Sequence, residues 1–390
     1  MKIGIVTYIK DDNYGEELQA YALAHYLSKN GYDAEVIDLE KRVKPLSKSK
    51  DTILPAIINR FKVYGLKAPY YILQKYMSVQ RAKKHKAQYA DYFKGQHQKF
   101  VDFFNKYTIH SDKYYTLDEI RITKDLPYDT YIAGSDQIWN YMHTDFLDVF
   151  FLEFAKKFNA RRISYAASIS VPSIPMYMKE EYRRLLDNIQ YLSVRECMGA
   201  DLLKKEFKKV ATVAIDPTFL LDKNEWDREV GIDVLKNQDF VVVYTLSGSK
   251  YIQRLAHHIA DRLRCPTIVY MFGMETIIVT GDKRERFGTG PSEWVGFMSK
   301  AKYVVTDSFH GTAFSINFNK PFTTLVNPVS NMNTRVLSIL KATKLEGRIL
   351  LDDGNDRVPD SLEIDYDKVN SKIKDWKDRS KVFLNTALEK

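Results

Sequence analysis

A histidine between a buried strand and a small-residue helix is the residue of this chain best placed to do chemistry. Residues 303–322 read YVVTDSFHGTAFSINFNKPF. The pattern predicts a buried parallel strand over 303–306 and a helix over 311–318, with Asp307, Ser308, Phe309 and His310 in the turn between them. In an open α/β sheet such a turn lies at the carboxyl ends of the strands, where these folds bind ligands. The free amides of the following helix favour an anion there. His310 is thereby placed to meet a phosphate or carboxylate, with Ser308, Gly311 and Thr312 around it. The plain structural alternative is an N-cap, in which Ser308 or Thr312 accepts a backbone proton and His310 only packs.

Four further loops fall at predicted strand ends. IKDDNYG (9–15) presents Asn13 and Gly15 just before a helix, with neither a G-x-G-x-x-G nor a Walker A pattern. AGSDQIWN (133–140) offers Ser135 and Asp136, which could equally form an Asx-type cap. In SVRE (193–196) the planar fork of Arg195 could hold a carboxylate or phosphate in bidentate fashion, or pair internally with Glu196 or another carboxylate. TLSGSK (245–250) suits a nucleotide phosphate or the far end of an acceptor, or is a simple strand-to-helix loop. One arginine, one histidine and helix amides at converging strand ends fit a small, doubly anionic ligand better than a metal. His257 and His258 are adjacent, so on a helix they diverge by about 100° and cannot share an ion. The other histidines lack ligand spacing, and no metal is expected.

These loops must be carried by strands and helices. Residues 2–39 read as one βαβ unit: a strand to Tyr8, a helix over 16–29 stopped by Gly31, and a strand over 34–39. From about 41 to 113 the chain turns to Lys-, Tyr- and Phe-rich amphipathic stretches such as YYILQKYM, read as a helical insertion. Sheet character returns at 128–136, 161–169 and 210–221. A second series opens at 239–250, with a helix over about 251–264 and strands near 267–272 and 275–280. Alternation of this kind specifies parallel sheets. The expected organisation is an α/β chain of two Rossmann-like lobes, 1–222 and 223–366, split near 222–237. A charged amphipathic helix over 367–390 returns to the first lobe.

Composition narrows the partners. A chain of 390 residues with 45% hydrophobic content can bury sizeable cores. MKIGIVTY reads as a first strand and not a signal peptide, and no run reaches the length of a membrane span. Cys197 and Cys265 offer no disulfide framework, which fits a cytoplasmic setting. The net charge of +9 allows a nucleic acid, an anionic membrane surface or a polyanionic substrate. No helix-turn-helix, RNP or zinc-finger signature accompanies it, so nucleic acid ranks last.

Taken together, KIGIVTYIKDDNYGEELQAYALAHYL, YDTYIAGSDQIWN, ISYAAS, LSVRE, DPTFLL and VVTDSFHGTAFSINFNKPF resemble the polysaccharide pyruvyl transferase family in order and spacing. The likeness covers residues 2–40 and about 128–345. It implies a fold like the two-lobed glycosyltransferase B class, and transfer of pyruvate from phosphoenolpyruvate, as donor substrate with no cofactor, to two hydroxyls of a saccharide. The products are a cyclic ketal and phosphate. The family's donor-binding arginine and histidine match Arg195 and His310. Asp136 is the candidate partner base on position alone, with Ser135, Asn13 and Gly15 lining the substrate. Many members carry an acidic N-x-G-D type turn where this chain has NYGEELQ, so Glu16 or Glu17 would substitute. A saccharide acceptor, lipid-linked in one reading, would bring the basic insertion to the membrane's inner face. The alternatives are a sugar-nucleotide glycosyltransferase of the same architecture and a saccharide-binding relative without activity.

Overall fold

Short runs of Val, Ile and Ala buried on both faces build two parallel sheets, as such runs do when helices cover both sides. A computed structural model describes residues 1–41, 84–85, 87–327, 334–353 and 357–389. In the first sheet β1 is Lys2–Val6, β2 Asp33–Leu39, β3 His110–Tyr115, β4 Thr130–Ala133 and β5 Arg161–Ser164. They lie in the order β3-β2-β1-β4-β5, all parallel. Single bridges from Ile163 to Tyr191 and from Ala167 to Val194 extend this sheet to β6 (Ser193–Val194), which pairs in parallel with β7 (Thr212–Val213).

The second sheet contains β8 (Phe240–Thr245), β9 (Thr267–Phe272), β10 (Glu275–Thr280), β11 (Lys283–Arg286), β12 (Tyr303–Thr306), β13 (Phe322–Val326) and β14 (Ile349–Leu351). Its order is β11-β10-β9-β8-β12-β13-β14, parallel except for the β9-β10-β11 meander. Strand order reverses between β1 and β4 in one sheet and between β8 and β12 in the other. Chains leaving such a pair turn to opposite faces and open a crevice at the carboxyl ends.

The two lobes share one apolar core, in which Ile3, Ile5 and Leu18 of the first join Val242, Val304 and Phe314 of the second. Tyr14 is the hinge of this contact. Its ring stacks on Trp294 at 5.6 Å and its hydroxyl donates to the Thr289 carbonyl at 3.0 Å. Asn317 Nδ2 donates to the carbonyls of Thr218 and Leu221 at 2.9 and 3.0 Å.

Residues 42–83 and 86 of the expected insertion lie outside the described residues. Its final part is helix Ala90–Tyr107, which bridges the lobes: Gln96 Nε2 donates to the Met274 carbonyl at 2.7 Å and Lys99 Nζ to that of Gly288 at 2.8 Å. The insertion also ends sooner than expected, because residues 110–113 already belong to β3. HSDKYY hid this edge strand from the sequence pattern, since only Ser111 and Tyr115 of it are buried. The segment 222–237, where the sequence places the split, opens with helix Lys223–Glu229, started by a capping box of Asp222 and Glu225.

Helix Tyr366–Leu388 lies against the first sheet. Trp376 Nε1 donates to the Val213 carbonyl at 2.9 Å, Ser380 Oγ accepts from Ile215 N at 2.9 Å, and Arg161 donates to the carbonyls of Ala387 and Leu388. It thus fixes the backbone just before Asp216.

Candidate functional site

Loops after β1, β4, β6 and β7 of the first lobe meet the start of the helix after β12 of the second. Asn13 caps the first of these helices, Tyr14–Lys29, by accepting from Gly15 N at 3.0 Å. Gly15 then lies directly against His310, so that a Cβ there would stand 1.9 Å from the imidazole Nδ1. Residues far apart in sequence are in contact because this position has no side chain.

The helix carrying His310 runs Phe309–Asn317, two residues earlier than the sequence pattern suggested, so His310 sits in its first turn and not in the loop. The cause is Ser308, whose side chain caps the helix at Gly311 N. Thr312 Oγ1 donates to the Ser308 carbonyl at 2.9 Å and is fully buried against Thr324. Gly311 lets the helix approach the strand, since a Cβ there would meet Thr306 Oγ1 at 2.2 Å. Ser308, Gly311 and Thr312 therefore hold His310 in place.

Arg195, at the end of β6, donates from Nη1 to Asp216 Oδ2 at 2.6 Å and to Ser135 Oγ at 3.3 Å, and its Nη2 lies 3.5 Å from Asp136 Oδ1. Asp216 also accepts from Ser135 Oγ at 3.0 Å and from Thr218 N and Oγ1 at 3.0 and 2.8 Å. His310 Nε2 lies 3.9 Å from the same Asp216 oxygen. Asp136 adopts left-handed backbone (φ 70°), and its Oδ1 accepts from Gln137 N. Arg335, from helix Thr334–Thr343, brings Nη1 to 3.7 Å from Asp136 Oδ1. The Phe309 ring faces both guanidiniums, Arg195 at 4.3 Å and Arg335 at 5.7 Å.

Arg195, Asp216 and His310 are 3%, 2% and 6% exposed, so these charges act with little solvent between them. Burial would push the Asp216 carboxyl up, but Arg195 and then His310 hold it below the usual range. Burial pulls Arg195 down, and Asp216 with Asp136 overrides this to raise it. For His310 burial wins over both carboxylates and lowers it to about 4, so the ring is neutral at pH 7. Four buried polar atoms of the cluster have no hydrogen-bond partner among the described residues: His310 Nε2, Arg195 Nε, Arg335 Nε and Glu196 Oε2. Unmet buried polar groups call for a partner, whether water, an ion or a polar ligand. The cavity beside Arg195, Phe309 and Arg335 is only about 10 Å³. The larger one of about 830 Å³ near Arg348 and Lys372 shares no residue with the cluster.

Glu16 and Glu17 part ways. Glu16 accepts from Asn13 Nδ2 at 2.8 Å and lies near enough to Tyr244 to help raise that buried phenol. Glu17 turns to a separate cavity of about 230 Å³ with Lys10, Asp12 and His97, where burial pushes its carboxyl up to about 8. Of the two, Glu16 is therefore the one on the side of Asn13 and Tyr244.

Two members of the cluster escaped the sequence reading. Asp216 was visible as the first residue of DPTFLL, a carboxylate directly after a strand. Arg335 carried no signal, because it reaches the cluster from a helix whose sequence, TRVLSILKAT, looks like ordinary packing.

A Gly15→Ala change is expected to displace His310 and lower turnover about 10²-fold, as misplacing a reacting group by about 1 Å does. Steady-state kinetics on a variant of unchanged Tm checks this; activity within a few-fold of the parent would show that His310 position is not critical.

The shifted groups also set the pH dependence of stability. His310 takes up a proton near 6.5 when unfolded and only near 4 when folded, so stability falls as pH drops from 6.5 through 4. Glu17 acts oppositely: the folded state holds its proton to about 8 against 4.5 unfolded, so stability falls as pH rises from 4.5 through 8. Glu17→Gln is expected to raise Tm at pH 8 relative to the parent and leave it unchanged at pH 4.5. Equal shifts at both values would refute this assignment.

Two α/β lobes with a charged cluster at their facing strand ends define a glycosyltransferase-B-type enzyme fold. One solved structure agrees: a Listeria monocytogenes protein assigned as a UDP-N-acetylglucosamine 2-epimerase aligns over 99% of this chain and 90% of its own, with TM-score 0.50 and 12% identity. The UDP-GlcNAc 2-epimerase of Methanocaldococcus jannaschii aligns over 96% and 92%, with TM-score 0.48 and 13% identity. At 12% identity the likeness to the Listeria protein is one of fold alone. A search of curated protein sequences finds no match. The model of the polysaccharide pyruvyl transferase family matches residues 13–328, most of the chain, and the chain belongs to that family.

Proposed function

We propose that this protein transfers pyruvate from phosphoenolpyruvate to two hydroxyls of a saccharide, forming a cyclic ketal and releasing phosphate. The observation that carries the proposal is a neutral His310, whose Nε2 has no hydrogen-bond partner among the described residues, beside two buried arginines. Phosphoenolpyruvate bears a carboxylate and a phosphate, and Arg195, Arg335 and the helix amides beyond Ser308 match two anions. On binding, these groups replace Asp216 and Asp136 as part of the counter-charge of the guanidiniums.

Three changes complete the reaction: the donor methylene gains a proton, both hydroxyls lose theirs as their oxygens bond to C2, and the C2–O bond to phosphate breaks. One hydroxyl proton ends on the new methyl group and the other on phosphate. His310, neutral at pH 7, accepts a proton from an attacking hydroxyl, and the imidazolium so formed is stabilised by Asp216. Asp136, engaged with Arg195 and Arg335, orients the arginines in this reading, and Glu16 is the second acid–base candidate.

Incubation with phosphoenolpyruvate and a glycan panel tests the proposal. Phosphate release together with a glycan mass gain of one pyruvate less one water supports it. Release of a nucleoside diphosphate from a sugar nucleotide instead, with phosphoenolpyruvate untouched, would replace it by glycosyl transfer. Arg195→Lys keeps the charge but loses the fork, so KM for phosphoenolpyruvate is expected to rise about tenfold with acceptor KM unchanged. An unchanged donor KM would leave Arg195 a purely structural partner of Asp216.

A further inference from the structure

A second cavity, of about 400 Å³, opens beside the crevice in the second lobe. It is lined by Ser247, Gln253, His257, Tyr270, Phe272 and Arg284, among others. Phe272 is large, apolar and 49% exposed at the end of β9, and Gly248 (φ 65°) packs against its ring, where a Cβ would lie at 3.2 Å. Tyr270 Oη is buried with no hydrogen-bond partner among the described residues. An exposed aromatic face fringed by hydroxyl, amide, imidazole and guanidinium groups matches the two sides of a sugar ring, whose C–H face is apolar and whose edge is hydroxylated.

The turn over 245–250 decides between a sugar and a nucleotide. Its sequence, TLSGSK, had the look of a phosphate loop. Its amides are already taken: Asp307 accepts from Leu246 N and Thr245 Oγ1 at 2.7 Å each and from Ser247 N at 3.0 Å. Ser249 caps the following helix at Tyr251 N. A carboxylate thus occupies the place where a diphosphate would sit and would repel one, whereas an uncharged sugar is unaffected. Asp307 also immediately precedes Ser308, the cap of the His310 helix, so one residue ties this cavity to the reaction centre.

We infer that the cavity is an acceptor subsite that stacks a neutral sugar residue on Phe272, beyond the residue receiving pyruvate. The inference rests on the pyruvyl-transfer reading of the same crevice, and its test is therefore a binding measurement without phosphoenolpyruvate. Saturation-transfer NMR would be run on the full chain with methyl glycosides, lactose, cellobiose and N-acetyllactosamine, with UDP as a separate probe. At least one disaccharide is expected to receive saturation. Phe272→Ala should weaken that binding about tenfold, and Phe272→Trp should retain it. Since Phe272 is half exposed, the variants are expected to fold, which an unchanged Tm verifies. Binding of no sugar, binding equally strong in Phe272→Ala, or binding of UDP that Phe272→Ala abolishes would each overturn the subsite. Sugar binding with the expected Phe272 dependence, but no phosphate release from phosphoenolpyruvate, would keep the subsite and reject pyruvyl transfer.

Discussion

His310→Ala is expected to lower phosphoenolpyruvate turnover about 10²–10⁴-fold, the range a general acid–base group supplies. The loss should fall on kcat, because His310 has no counter-charge to offer the donor while its ring is neutral. Stability should respond differently. The Nε2 atom makes no hydrogen bond to any described residue, so its removal leaves none of them unsatisfied. The substitution also removes a group that must stay unprotonated to remain folded, so the Tm of the variant relative to the parent should improve as pH falls from 6.5 toward 4. The parent's kcat/KM should lose activity near pH 4 and not near 6.5, because burial has moved the histidine there. A folded variant with turnover within a few-fold of the parent would reduce His310 to a packed residue of the helix start. An acid limb at 6.5 would show that the ring titrates as if exposed.

The strands were legible where both faces are buried. FVVVYT and YVVT announce themselves, since a run of β-branched residues bounded by turn residues has few other uses. The edge strand HSDKYY did not, because only two of its residues are buried. The site was legible to the extent that its groups sit at ends of those central strands. Arg195, Asp136, Ser135 and His310 converge because parallel strands deliver their carboxyl ends to one side. What the sequence hid was contact across the lobes. Nothing in NYGEELQ says that Gly15 faces an imidazole nearly three hundred residues later, and nothing in TRVLSILKAT says that Arg335 enters the charge cluster. TLSGSK, which the sequence left open between a phosphate turn and a plain strand-to-helix loop, was undecided for the complementary reason. Its amides suit an anion, and the chain supplies that anion itself as Asp307.

Asp216→Ala is expected to be the most destabilising single change in the cluster, by about 3–5 kcal/mol, because it strands a buried guanidinium. Among the described residues, Arg195 Nη1 has only Asp216 and Ser135 within hydrogen-bond distance, and the Asp136 oxygen near Nη2 is shared with Arg335. The carboxylate also accepts from Thr218 N and Oγ1, so its loss frees the turn Pro217–Phe219 as well. Asp216→Asn should be milder in shape but still lose the charge that balances Arg195. Removing both charges together separates these effects. If the penalty is an uncompensated buried cation, Arg195→Met combined with Asp216→Ala should recover part of the loss, leaving the double variant more stable than Asp216→Ala alone. If the penalty comes from the Thr218 turn, the second substitution should only add to the damage. Urea unfolding of the parent, both single variants and the double variant measures the coupling, and a loss below about 1 kcal/mol for Asp216→Ala would mean that water or Asp136 already satisfies Arg195.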